Sequence, residues 1–179
     1  MHISSDLTWH SNTKQLCDKG YKRLWILRNL KRLGASKPDL IDVYYKQCRS
    51  ILELAIPAWA SGLTRTDVNQ LERVQKTACA IILGGGYKSY KTALKGLKMD
   101  SLEIRREKIC LEFGKKALKS NKFENWFSID TEKEPAIKTR NQKPRPLLKP
   151  VTCRNKRYKK SPIPYLTDLL NSEFEKQKL

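Results

Sequence analysis

The sequence predicts an all-α protein: a small bundle of four to five helices followed by a basic, proline-containing and largely disordered tail. Apolar residues recur at helical spacing over the first two thirds of the 179-residue chain. No alternating apolar and polar run of useful length marks a strand. The character of the sequence changes after Trp126 and Phe127, where the tail begins. A hydrophobic content of 39% is enough for one core, and short loops favour mostly antiparallel neighbours.

The first helix is predicted over residues 13–33, where leucines recur between lysines and arginines. These leucines are Leu16, Leu24, Leu27 and Leu30. Gly34 is a typical helix stop. Gly20 lies inside the helix, where glycine weakens helix formation by about 1 kcal/mol relative to alanine.

The second helix begins with a capping box, in which Ser36 precedes Asp39 by three residues. Its predicted buried face consists of Leu40, Val43, Tyr44, Ile51, Leu54 and Ala55. Pro57 is expected to end or kink this helix. Trp59 follows within an apolar run, which favours a place in the core over a base-stacking role.

The third helix, capped by Thr64 or Thr66, carries the cleanest apolar stripe in the chain. The stripe is Val68, Leu71, Val74, Ala78, Ile81 and Ile82. Glycines at 84–86 should stop it. A glycine-rich phosphate cradle lies between a strand and a helix, whereas this run follows a helix, so we interpret it as a C-terminal cap.

Two further helices complete the predicted bundle, a short one around residues 90–95 and a long one opened by Asp100 with Glu103. The long helix runs through Leu102, Ile109, Phe113 and Ala117 and loses its pattern near Ser120.

The tail is strongly basic. Residues 133–160 carry eleven lysines and arginines and four prolines, and only Glu134 opposes them. Such a segment buries too little apolar area to offset its chain entropy, so we expect a disordered basic arm. Residues 164–170 can form a short amphipathic helix that docks on the body or on a partner.

Charge indicates the class of partner. Lysine and arginine number 37 against 18 aspartates and glutamates, a net charge of +19. Polyanions are attracted to such a chain and release counterions on binding, which favours RNA or DNA; the alternative is a solvated, self-repelling surface. No signal peptide or membrane span is visible, so we expect an intracellular protein, nuclear or cytoplasmic and not secreted, with no membrane partner.

Cysteine and histidine usage argues against metal or disulfide frameworks. The chain has five cysteines and two histidines, and no C-x-x-C pair. Cys17, Cys48, Cys79 and Cys110 recur every 31 residues, but their neighbours do not repeat, so we interpret the spacing as coincidence and the cysteines as packing residues.

Several segments follow the order found in one known family. The first signal is Leu52, Glu53, Ala55, Pro57 and Trp59, followed by Leu71, Glu72, Arg73, Gln75 and Lys76. Residues 5–9, 22–32, 90–116 and 157–171 extend it along most of the chain. Together they resemble the C-terminal part of LINE-type, non-LTR retrotransposon reverse transcriptases, although Leu54 replaces the family's usual tyrosine.

This resemblance implies a domain plan and a parent activity. Residues 1–12 would be a remnant of the palm-to-thumb connection, 13–127 a helical thumb-like domain, 128–162 the basic arm, and 163–179 a short C-terminal segment. The parent would be an RNA-directed DNA polymerase, in which this region holds the template-primer backbone. Docking on an upstream palm domain stays open. Met1 is then expected to be an internal residue of a longer protein.

Catalysis by this chain alone is not expected, because such polymerases hold two Mg²⁺ ions with clustered carboxylates. The aspartates are scattered and none adjoins another: Asp6, Asp18, Asp39, Asp42, Asp67, Asp100, Asp130 and Asp168. We therefore predict no catalytic residue, metal site or cofactor here, with Mg²⁺ confined to the missing palm. The alternative is a free-standing, non-specific nucleic-acid-binding module or a non-functional relic of a mobile element.

The candidate contacts to nucleic acid are basic residues on the predicted helices and in the arm. They are Lys22, Arg23, Arg28, Lys31, Arg32, Arg73, Lys76, Arg105, Arg106, Lys115, Lys116, Arg154, Lys156, Arg157, Lys159 and Lys160. For Arg73 the alternative is pairing with Asp67 or Glu72 on the same helix.

Overall fold

The computed structural model describes Ser4, residues 8–129 and residues 147–177. Over these residues the fold is an all-α bundle, as predicted. Its helices are α1 (His10–Arg32), α2 (Lys37–Val43), α3 (Ser50–Leu52), α4 (Ile56–Trp59), α5 (Arg65–Leu83), α6 (Tyr90–Gly96), α7 (Leu102–Leu118), α8 (Lys156–Lys159) and α9 (Pro162–Gln177). The described backbone contributes one isolated antiparallel bridge, between Ile129 and Leu148.

Helices α1 and α5 form the central pair and run parallel. Their N-terminal ends meet where His10 Nδ1 lies 2.9 Å from Asp67 Oδ1, and their C-terminal ends meet where Lys31 Nζ donates to the Ile82 carbonyl at 2.9 Å. Midway, a Cβ added to Gly20 would lie 3.0 Å from a methyl group of Val74. Gly20 thus lets the two helices approach closely, which explains a residue that helix propensity alone disfavours.

The segment after α2 corrects the predicted buried face. A π-helical stretch, Tyr44–Arg49, joins α2 to α3. Because its turns are wider than those of an α-helix, the core-facing positions recur every fourth residue. They are Leu40, Tyr44, Cys48, Leu52 and Ile56. Leu54 is instead 57% exposed, Ala55 is also exposed, and Val43 and Ile51 are only half-buried.

The helix ends before Pro57 rather than at it. Helix α3 ends at Leu52, and Ala55 adopts a left-handed backbone with φ 53°. Pro57 then lies in the first turn of α4, where its missing N–H is not needed. Trp59 is fully buried, and its Nε1 donates to the Leu54 carbonyl at 2.8 Å, which confirms its place in the core.

Helix α5 follows its prediction closely. The Thr64 and Asp67 side chains form a reciprocal capping box at its start. Leu71, Val74, Ala78 and Ile82 are buried, and Val68 and Ile81 are half-buried. The helix ends at Leu83, and the glycines continue as a 3₁₀ turn, Gly84–Gly86, with Gly84 at φ 56°. The glycine run is therefore a helix stop, as expected.

Helix α7 begins one residue later than its predicted cap. The Ser101 hydroxyl, rather than the Asp100 carboxylate, accepts from the Ile104 amide. Asp100 instead accepts from Lys108 Nζ at 2.6 Å. Serine at this position caps equally well, because either side chain offers an oxygen to the free N–H groups of the first turn.

The C-terminal segment is longer and more structured than predicted. Helix α9 packs on α7, where Gly114 brings its backbone close to Leu170; a Cβ at Gly114 would lie 3.2 Å from that side chain. Leu148 is 1% exposed, and Asn171 holds its N–H and C=O in two hydrogen bonds of 3.0 Å. Within the predicted arm, Leu148 is therefore held against α9. Residues 130–146 of the predicted arm lie outside the described part of the chain.

Candidate nucleic-acid interface

A groove of about 440 Å³ lies between the C-terminal halves of α1 and α5. It is lined by Trp25, Arg28, Asn29, Lys31, Arg32 and Ile81. Arg28 and Arg32 are exposed, and Arg32 donates to the Asn29 side chain. Lys31 is held against the end of α5 by its bond to the Ile82 carbonyl, so its ammonium group neutralises the negative end of that helix.

A second groove of about 380 Å³ lies between the N-terminal halves of the same two helices. It is lined by His10, Lys14, Cys17, Asp18, Tyr21, Gln70 and Arg73. Lys14, Tyr21, Trp25, Arg28 and Arg32 follow one another at intervals of three, four or seven residues, so they share one face of α1. We call this stripe, together with Arg73, the α1 groove.

The α1 groove is short of acid. Asp18 is the one carboxylate among the residues that line its two parts. Among the described side chains, none forms an ion pair with Lys14, Arg28, Arg32 or Arg73. The charges of these four cations are therefore not neutralised by an ion pair with a described carboxylate.

Arg73 is exposed, and the two carboxylates near it in sequence are engaged elsewhere. Asp67 accepts from Thr64 and from His10. Glu72 accepts from the Tyr90 hydroxyl and, at 2.7 Å, from the Glu103 amide. The alternative interpretation of Arg73, a surface pair within α5, does not match this geometry.

Lys22 and Arg23 are exposed but lie on other faces of α1, and Arg23 donates to Gln47 at 3.1 Å. Lys76 is exposed on α5 and lines neither part of the groove. The predicted set of basic residues on α1 and α5 is thus split between surfaces, because successive residues of a helix point about 100° apart.

The cations of α7 hold the bundle together. Arg105 makes a two-pronged ion pair with Glu53, with both N–O distances 3.0 Å. Arg106 is 6% exposed, and burial lowers its pKa while Glu72, 4.0 Å away, opposes that shift. Lys115 pairs with Glu173 of α9 at 3.0 Å. These three residues thus have acidic partners or burial within the bundle, whereas Lys116 is exposed.

The basic residues around α8 are exposed: Arg154, Lys156, Arg157, Lys159 and Lys160. Lys156, Arg157 and Lys160 border a cleft of about 450 Å³ that Trp9 and Gly62 close from the other side. Trp9 packs so tightly that a Cβ on Gly62 would lie 2.5 Å from its ring. The α8 region thus forms a second positive surface, separate from the residues that line the α1 groove.

Cys17, Cys48, Cys79 and Cys110 are all buried. Burial raises the pKa of Cys17, Cys48 and Cys79 to about 11 and that of Cys110 to about 12. These thiols are protonated at neutral pH and act as packing groups. In the described part of the chain, no group of three or more His, Cys, Asp or Glu side chains is placed to hold a metal ion. None of the described helices has the length and apolar character to cross a membrane.

Comparison with protein-family models, with curated proteins and with solved structures found no significant match to this chain.

Sequence reasoning missed three residues of the α1 groove: Lys14, Tyr21 and Trp25. A usable signal was present, because Tyr21 and Trp25 lie one turn apart and off the buried leucine face of Leu24 and Leu27. Aromatic residues on the polar face of a predicted helix indicate an exposed aromatic surface.

Proposed function

We propose that this chain is a helical nucleic-acid-binding domain that contacts the phosphate backbone through the α1 groove. The observation that carries the proposal is the exposed row of Lys14, Arg28, Arg32 and Arg73 with no described carboxylate paired to it. Phosphate contacts of this kind hold nucleic acid without reading its sequence. RNA and DNA are both proposed partners.

The distribution of acids supports this proposal. The described carboxylates of Glu53, Asp67, Glu72, Asp100 and Glu173 all bond to groups within the protein. Lysine and arginine outnumber aspartate and glutamate by 37 to 18 over the whole chain, and Asp18 is the one carboxylate that lines the two parts of the α1 groove. Neutralising phosphates with lysine and arginine releases condensed counterions, which drives binding at low salt.

The test is the salt dependence of binding, measured by fluorescence anisotropy of a labelled oligonucleotide. Each phosphate contact contributes about 0.7 to the slope of log affinity against log salt for single strands. Replacing Arg28 and Arg32 by alanine should therefore lower the slope by roughly 1.4. Alanine at Lys19 and Lys91, two exposed lysines outside the groove, is the matched loss of charge and should change the slope less. Equal slopes for the two double variants would refute a groove-specific contact.

We further propose that the domain derives from the region that follows the palm of a LINE-type reverse transcriptase, and that it acts inside the cell without catalysis of its own. The support is the ordered series of family-like segments, together with cysteines that are free in the structure. A genomic reading frame that continues upstream of Met1 into a palm with adjacent aspartates would support this origin. An in-frame stop codon there would indicate a relic instead.

Primer extension tests the catalytic part of this proposal. With primer, template, Mg²⁺ and nucleotides the purified chain should extend nothing, because a polymerase needs clustered carboxylates for its metals. Extension that disappears when an aspartate of this chain is replaced would overturn it.

A free-standing nucleic-acid-binding module is the second candidate, and one observation favours it. Helix α9 returns to the body and covers α7 and α4, so the described helices close their own core. A single cooperative melting transition of the isolated chain would support this candidate, whereas melting only in the presence of a palm domain would contradict it.

A further inference from the structure

Two aromatic side chains stand in solvent within the α1 groove. Trp25 is 64% exposed and Tyr21 is 39% exposed. Trp59, in contrast, is fully buried. Exposed aromatic rings in a positively charged groove are one feature of proteins that bind single-stranded nucleic acid. Indole and phenol rings also offer the flat faces on which nucleobases stack.

The spacing of the two rings distinguishes single strands from duplexes. Tyr21 and Trp25 are four residues apart on α1, which is about 6 Å along the helix axis. Bases stacked within a duplex are separated by about 3.4 Å. Two neighbouring bases can therefore use these rings only when they are unstacked from each other, as in single strands and loops.

The cations beside the rings suit the same ligand. Arg28 and Arg32 follow Trp25 on the same face of α1, and Lys14 precedes Tyr21 on that face. Arg73 of α5 lines the other side of the second groove. A backbone that follows this row keeps its phosphates near positive charge while its bases turn toward the rings. Asn29, one turn after Trp25, adds a side-chain amide within the groove.

We propose that Trp25 and Tyr21 form a stacking platform for the unpaired bases of single-stranded nucleic acid. This inference rests on the proposed function, because the backbone contacts of the α1 groove would deliver the strand. The platform adds affinity for bases, whereas the cations supply affinity for phosphates. The domain should therefore prefer single strands to duplexes of the same length.

The test compares three labelled probes of equal length: a single strand, the same strand with abasic sites, and a duplex. The single strand is examined as RNA and as DNA. Base–aromatic stacking contributes about 1–3 kcal/mol per base, which corresponds to a change in affinity of roughly fivefold or more. The parent protein should bind the single strand at least about fivefold more tightly than the abasic strand.

Trp25→Leu should remove most of this preference, because leucine keeps an apolar side chain but no ring. Trp25→Phe should restore much of it. Both variants should leave the salt slope and abasic-strand affinity unchanged. Leu54→Ala, at an exposed apolar residue outside the groove, is the control. Circular dichroism and melting should match the parent for each, since Trp25 is largely exposed.

The outcomes separate the two proposals. If Arg28→Ala with Arg32→Ala flattens the salt slope while Trp25→Leu binds single and abasic strands as the parent does, backbone binding stands and the platform is wrong. If no probe binds at low salt, both proposals fail. A parent protein whose sedimentation shows self-association through Trp25, lost in Trp25→Leu, would assign the rings to a protein contact and overturn the platform.

Discussion

The cations of α1 and those of α7 look alike in sequence and have different surroundings in the fold. Arg105 and Lys115 of α7 reach carboxylates of other segments, Glu53 and Glu173, at 3.0 Å. Arg28 of α1 is exposed in a groove beside an exposed tryptophan. One set of charges therefore joins helices, and the other set is accessible to a partner.

The difference shows that the number of cations on a helix does not predict an interface. When a guanidinium pairs with a geometrically matched carboxylate, its charge is neutralised and its N–H groups are hydrogen-bonded inside the protein. A guanidinium without such a partner keeps both. Substitutions in α7 should therefore change stability, whereas substitutions in the α1 groove should change binding.

The largest expected effect is unfolding of the whole domain, which would abolish the α7 ion pairs and the α1 groove together. Leu71 is fully buried in α5, between the groove helix α1 and the rest of the core. Leu71→Asp places a charge there and should cost several kcal/mol, enough to unfold a domain of ordinary stability. Circular dichroism should show lost helix, and salt-dependent binding to the groove should disappear with it. Ile104→Asp, at a 47% exposed position, is the control and should stay folded.

The second prediction concerns the stability that the ion pairs of α7 contribute. Arg105→Ala removes the two-pronged bond to Glu53 and leaves that carboxylate, only 15% exposed, with Arg49 at 3.5 Å. Because the pair is partly screened by solvent, we expect a loss of about 1–2 kcal/mol. The melting temperature should fall by a few degrees, while the salt slope of binding stays unchanged. Lys116→Ala, also on α7 but exposed, should melt like the parent. A flattened slope in Arg105→Ala would instead make Arg105 a nucleic-acid contact.

A third prediction concerns pH at the junction of α1 and α5. Burial raises the pKa of Asp67, but hydrogen bonds from Thr64 and His10 outweigh burial and hold it below the usual value of about 3.8. A lowered folded pKa means that the carboxylate stabilises the fold above about pH 4 and stops doing so as the pH falls through the folded pKa. Asp67→Ala should cost about 1 kcal/mol at pH 7, the usual contribution of a helix cap. Its melting curve should approach that of the parent as the pH falls through the lowered pKa of Asp67. A difference that persists in acid would show that packing, rather than charge, carries the effect.

The smallest expected effect concerns a single cation of the α1 groove. Arg73→Ala at an exposed position of α5 should leave stability within about 0.5 kcal/mol of the parent. It should lower the salt slope for single strands by about 0.7, as expected for one phosphate contact. Anisotropy across a salt series measures this change. A slope equal to that of the parent would mean that Arg73 makes no phosphate contact.

Local signals predicted the end of α1 and the starts of α2 and α5. Gly34 ends α1 in the left-handed region with φ 83°, Ser36 caps α2, and Thr64 with Asp67 caps α5. Each of these depends on contacts between residues a few positions apart, so the sequence contains all the information needed. The face of α2 and α3 was harder to predict, because a π-helical stretch changes the spacing and nothing local marks it.

The C-terminal region illustrates the same limit. Composition predicted a disordered arm through residue 162, yet Leu148 is buried and its backbone is held by Asn171, 23 residues further on. Composition measures how much apolar area a segment offers by itself. It does not detect a single leucine that a distant helix can cover.

By itself the sequence determined the helical class, several helix ends and the large excess of positive charge, since these follow from local propensity and from counting. Only the tertiary structure decided which charges face outward. The partners of α7 lie far away in the chain, with Glu53 52 residues before Arg105 and Glu173 58 residues after Lys115. A cation becomes structural or accessible according to whether folding brings a carboxylate within hydrogen-bonding distance, and no local pattern encodes that distance.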